Sequence, residues 1–109
     1  MAYSKELAQR IQATLLGKSD VVQREMFGGI GFLLNGNMAC GVIEDELIVR
    51  VGLEGYQDAL NSPFTETFDY TGYPMKGWIV VTPQGYEGED DLITWVKKGV
   101  EFAESLPVK

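Results

Sequence analysis

The chain contains no histidine and a single cysteine, Cys40. An intrachain disulfide is therefore excluded. So are the usual zinc sites and any catalytic triad that needs an imidazole. Positive charge is also scarce. Nine Lys and Arg residues face sixteen Asp and Glu residues, a formal net charge of −7. The basic residues are scattered, and only Lys97 and Lys98 are adjacent. Nucleic-acid binding ordinarily begins with a basic patch, so this balance argues against direct nucleic-acid contact. Long apolar runs are missing as well. Met1 to Gln12 lacks the apolar stretch of a signal peptide, and no segment is long enough to span a membrane. The expectation is a cytoplasmic protein with no membrane contact.

What is present is ordinary for a globular domain. The 109 residues are 45% hydrophobic and 23% charged. That length suits one domain, 1–109, with one modest core. Ser4 to Leu16 has Leu7, Ala8, Ile11 and Leu15 at helical spacing, with Ser4 as N-cap and Gly17 as C-cap. Lys18-Ser19-Asp20 is a polar connector. Val21 to Phe27 alternates poorly, as an edge strand does. Ile30 to Leu34, Met38 to Ile43 and Leu47 to Val51 read as a meander, and Glu44-Asp45 makes its second turn.

Gly52 to Asn61 reads as a short helix with Leu53, Tyr56 and Leu60 on one side, stopped by Ser62-Pro63. Phe64 to Tyr70 alternates Phe64, Glu66, Phe68 and Tyr70 and reads as a strand or an extended segment, Thr71 to Pro74 as a turn, and Met75 to Val81 as a strand closed by Thr82 to Gly85. Asp90 to Leu106 is the last helix, its apolar side carrying Leu92, Ile93, Val96, Gly99, Val100, Ala103 and Leu106, widened by Trp95 and Phe102. Glu87, Glu89, Asp90 and Asp91 read as the solvated start of that helix, where its dipole favours negative charge, rather than as a metal cluster. The order is α-β-β-β(β)-α-β-β-α. It predicts a two-layer α+β domain, an antiparallel sheet of about five strands flanked by three helices.

The densest stretch is REMFGGIGFLLNGNMACGV, Arg24 to Val42. Asn35-Gly36 between apolar runs is a strong hairpin signal, because both central residues take positive φ. Gly28-Gly29-Ile30-Gly31 imitates a phosphate loop only in its glycines. A strand follows them where a phosphate loop has a helix, and no Gly-Lys-Ser/Thr is present. The expectation is a bend, a bulge or a close backbone approach. Cys40 lies inside a strand and reads as a small buried hydrophobe.

Arg24 to Phe32 (REMFGGIGF), Asn35 to Met38, Asp45 to Val51 and Tyr73 to Trp78 (YPMKGW) together resemble the N-terminal domain of the TfoX/Sxy family. The resemblance covers nearly the whole chain. It implies an antiparallel sheet with flanking helices in a secretion-chaperone-like arrangement. The family is named for bacterial regulators of competence genes, which carry a second, C-terminal domain. The resemblance therefore implies a stand-alone N-terminal domain, and it brings no catalytic residues and no cofactor with it.

The candidate site is a polar set, Arg24, Glu25, Arg50 and Lys76, each within or beside a strand otherwise built of apolar residues, with Met26, Phe27 and Trp78 around it in sequence. An arginine fork suits carboxylate or phosphate, and Met and Trp suit a partner surface. The plain alternative is outward-facing charges and core hydrophobics. The preferred reading is a non-catalytic regulatory or protein-interaction module whose partner is an unidentified protein or a second copy of the chain. The alternative is a small enzyme, or a binder of an anionic metabolite, using Arg24, Arg50 and Lys76.

Overall fold

A computed structural model describes residues 3–17, 21–26, 28–69, 72 and 74–107. The connector 18–20, Phe27 of the candidate set, and Tyr70, Thr71 and Tyr73 of the second loop lie outside the described residues, as does the side chain of Met26.

The first helix, α1 (Lys5–Thr14), starts where the Ser4 hydroxyl accepts the Leu7 N–H at 3.1 Å. Leu7, Ala8 and Ile11 are buried on its inner side. The helix stops at Thr14 with Leu15, not Gly17, as its C-cap; Gly17 follows two residues on, where its φ of 94° turns the chain away. Four strands then run as an antiparallel meander: β1 (Val21–Met26), β2 (Gly29–Leu34), β3 (Asn37–Ile43) and β4 (Glu46–Arg50). The β2–β3 turn is the predicted one, with Asn35 at φ 54° and Gly36 at φ 85°. Register slips by one residue between Phe32 and Leu33, which leaves Ala39 as a bulge in β3.

The chain crosses through α2 (Gly52–Leu60) to β5 (Thr65–Thr67) and β6 (Trp78–Val81). β6 inserts beside β4, and β5 takes the far edge, giving one six-stranded sheet in the order β1-β2-β3-β4-β6-β5. The last strand begins three residues later than its β-former content predicts. Gly77, at φ 91°, turns the chain there, and its carbonyl accepts the N–H groups of both Val51 and Gly52. The expected turn after Val81 is a four-residue helix, α3 (Pro83–Tyr86), with proline at its start, and α4 (Glu89–Glu104) follows.

The helices share one face of the sheet. Leu7, Ile11, Leu15, Ala59, Tyr86, Leu92, Val96 and Val100 form one apolar cluster with Phe32, Leu34, Cys40, Val42, Leu47, Val49, Ile79 and Val81. Gly99 allows the closest contact. A Cβ there would collide with the Ala39 carbonyl oxygen, so α4 rests directly on the β3 bulge. Ile48 and Val80, register partners, are buried but stand outside this cluster, on the sheet's other face. The architecture is a two-layer α+β fold.

Two residues assigned to the core by spacing are elsewhere. Leu53 is 72% exposed, because the neighbour of the first turn of α2 is the Phe102 ring packed on Gly52 rather than the sheet. Ile93 is 38% exposed, since Leu92 and Val96 already occupy the floor beneath α4.

Candidate functional site

Alternation along the strands sorts the candidate residues onto faces. Arg24 opposes Gly31, Gly31 opposes Gly41, Gly41 opposes Ile48, Ile48 opposes Val80 and Val80 opposes Glu66. This row crosses the helix-free face from edge to edge. Two residues along from Ile48 and Val80, Arg50 and Trp78 are register partners on that same face. Glu25, opposite Ile30, belongs to the other face, where its side chain is exposed.

The structure brings Arg50 and Trp78 together. The guanidinium carbon lies over the indole, 5.2 Å from its centroid. It is also 5.2 Å from the centroid of Phe102 on α4, so one cation serves two rings at the end of the sheet. Such contacts stabilise by roughly 0.5–2 kcal/mol according to their exposure. Phe68 extends the group, its ring centroid 6.2 Å from that of Trp78. Lys76 is exposed in the turn just before β6. Arg24 does not join them. It stands on β1, three strand spacings from Arg50, a lateral separation of about 14 Å. Met26 is paired with Gly29 through its backbone.

Phe102 is the functional neighbour that sequence reasoning placed only at the edge of a helical stripe. Its spacing of seven from Trp95 carried the signal of an edge residue. Nothing local in the sequence pointed to Arg50, because the contact spans 52 positions.

Beside this group the helix-free face carries a shallow concavity of about 270 Å³. Ile43, Ile48, Phe68 and Val80 form its apolar part, and Glu44, Glu46, Glu66 and Asp69 its acidic part. Partial burial, and then the charges of Glu66, Asp45 and Glu44, push the Glu46 carboxyl above its ordinary value.

The glycines and the cysteine have structural explanations. Gly28, at φ 75°, turns the chain into β2. A Cβ on Gly29 would collide with the Val42 carbonyl oxygen, and one on Gly41 would come within 2.7 Å of the Ile30 carbonyl oxygen. The motif thus serves close strand approach, with β2 rather than a helix following it. The Cys40 side chain is fully buried, and desolvation pushes its thiol up to about 12. It is a packed, protonated hydrophobe. Among the described residues, no group of three His, Cys, Asp or Glu side chains is placed to hold a metal, and no helix is long and apolar enough to cross a membrane.

The glycine-led meander, the Asn-Gly turn and the Gly77-Trp78 entry to β6 are the segments on which the resemblance rests, and the family's model matches residues 13–103. The chain belongs to the TfoX N-terminal domain family. No curated protein and no solved structure matches it. Membership connects this TfoX domain to competence regulators at the level of the domain. Its partner and its site have to be argued from the surface just described.

Proposed function

We propose that this TfoX N-terminal domain is a non-catalytic regulatory module that acts by protein–protein contact through the helix-free face of its sheet. One observation carries the reading. Arg24, Arg50 and Trp78 share that face but stand on β1, β4 and β6, with β2 and β3 between the first and the other two. Groups about 14 Å apart suit a macromolecular surface better than one small anion. Arginine and tryptophan are also the residue types that dominate the energetics of protein interfaces. Lys76 extends the patch into the turn before β6. Glu25, Met26 and Phe27, adjacent to Arg24 in sequence, complete the proposed set. A competence-related role follows from the family's name and is the finer part of the proposal.

The test is affinity capture from native lysate, with and without nuclease, using the intact chain and folded Arg24→Ala, Arg50→Ala and Trp78→Ala variants. The expected result is a stoichiometric protein that survives nuclease and is lost with the variants. Equal capture by folded variants would remove the site assignment. A gain in thermal stability with phosphates, nucleotides or carboxylates, abolished by Arg50→Ala, would favour the anionic-ligand alternative.

A further inference from the structure

On the opposite layer, α2 packs on β5 and β6 while α4 packs on β2, β3 and β4, which leaves a groove between the two helices. Three contiguous depressions of about 390, 370 and 300 Å³ make it up. The first two share Val51, Gly55 and Phe102, and the last two share Ser62 and Lys98. The α4 wall is one stripe, Asp91, Trp95, Lys98 and Phe102, at spacings of four, three and four. The α2 wall is a second stripe, Val51, Gly55, Ala59 and Ser62. From Asp91 to Phe102 the wall runs about 16 Å, the length of three helical turns.

We propose that this groove docks a basic amphipathic helix of a partner protein, at a surface separate from the sheet face.

Four observations support that occupant. Gly55 is the first. A glycine inside a helix weakens it relative to alanine, yet a Cβ there would meet only Val51 Cβ, at an ordinary 3.8 Å. The domain's own packing does not require glycine at this position, whereas the close approach of a second helix does. The ends of the groove are the second. Leu53, 72% exposed, lines one end, and Phe64, 48% exposed, lines the other. The third is strain. Phe64 sits at φ 65°, a conformation bulky residues avoid, and its carbonyl is held there by the N–H and the hydroxyl of Thr82. The fold thus keeps an aromatic ring at the mouth of the groove at a conformational cost. Charge is the fourth. Glu54, Asp58, Asp91 and Glu101 line the groove against a single cation, Lys98. An apolar floor with an acidic rim is complementary to a helix whose apolar residues recur every three or four positions between lysines or arginines.

The probe is a synthetic helical peptide of about fourteen residues built from Leu, Ala and Lys. It is compared with the same peptide carrying Glu for Lys and with one of scrambled order. Binding to the full chain is followed by amide chemical shifts and titration. The expected result is saturable binding of the basic amphipathic peptide alone, with shifts confined to 51–64 and 91–102. Gly55→Leu should leave the domain folded and weaken binding by about tenfold or more, as should Leu53→Asp, while Lys98→Glu tightens it. Equal binding of the scrambled or acidic peptide would overturn the proposal. So would shifts at the Glu44–Glu66 concavity instead, or unchanged affinity in Gly55→Leu. Anionic vesicles or a second copy of the chain occupying these residues in place of the peptide would overturn it too. The groove meets the sheet-face group at Phe102, which touches Arg50, so the deciding variants are Gly55→Leu and Leu53→Asp, which leave Arg24, Arg50 and Trp78 in place and let the sheet-face reading stand or fall separately.

Discussion

The Asn37 side-chain amide donates to the Pro107 carbonyl at 2.9 Å, tying the first residue of β3 to the segment beyond α4. Asn37 is 2% exposed and is the buried polar residue among those described. Its amide N–H is what the contact needs, so the two obvious substitutions should differ. Asn37→Ala removes one hydrogen bond and should cost about 1 kcal/mol. Asn37→Asp should cost more, roughly 2–3 kcal/mol at pH 7, because a buried carboxylate then faces a carbonyl oxygen. The introduced carboxyl would have a raised folded-state pKa, so its penalty should shrink as pH falls and the acid regains a proton to donate. Urea unfolding of both variants at pH 7 and pH 4.5 checks the order and its pH dependence.

Gly99→Ala tests how α4 reaches the sheet. An alanine normally favours a helix by up to about 1 kcal/mol over glycine. Here the added methyl would collide with the Ala39 carbonyl oxygen, which is backbone and cannot rotate away. The variant should therefore lose about 1–3 kcal/mol of stability despite the better helix propensity. A stability equal to or above that of the parent would show that α4 does not sit on the β3 bulge.

Much of this fold was legible, for local reasons. The Ser4 cap, the Asn35-Gly36 turn and, Ile93 apart, the apolar stripe of α4 are each written within a few residues, and each appears as expected. The insertion of β6 between β4 and β5 is not local. It follows from register between distant strands, which no short window holds. The alternation over Phe64 to Tyr70 points to an extended or strand segment there, and among its described residues only Thr65–Thr67 pairs, as β5. For the candidate set, Arg50 and Trp78 meet because their strands become neighbours, while Arg24 is left on the far edge by the same strand order. A shared local setting, a charge within or beside an apolar strand, grouped residues that the sheet distributes.

Cys40 should be inert in the folded domain. Burial pushes its thiol up to about 12, so thiolate is scarce at neutral pH and reagents have no access. An aromatic disulfide reagent should label it at the rate of global unfolding and immediately in denaturant. Fast labelling of the native chain at pH 8 would mean that the β3 bulge opens locally.

Glu46 gives a pH signature of defined sign. Its folded-state carboxyl is raised, first by partial burial and then by Glu66, Asp45 and Glu44. A raised carboxylate pKa makes the ionised form a cost, present at neutral pH and relieved as pH falls into the carboxylate range. The group is mostly solvated, so the effect is on the order of a few tenths of a kcal/mol after screening. Glu46→Gln should raise Tm slightly at pH 7, and the gain should vanish near pH 4. A gain that persists at low pH would mean that repulsion among these carboxylates is not its origin.

The most direct test of the interaction reading places a photocrosslinking amino acid at position 24, at position 76 or at Leu16, an 81% exposed residue beyond α1. Each chain is irradiated in nuclease-treated native lysate. The same protein adduct is expected from positions 24 and 76, and none from position 16. Adducts of equal yield from all three positions, or from position 16 alone, would contradict a partner seated on the helix-free face of the sheet.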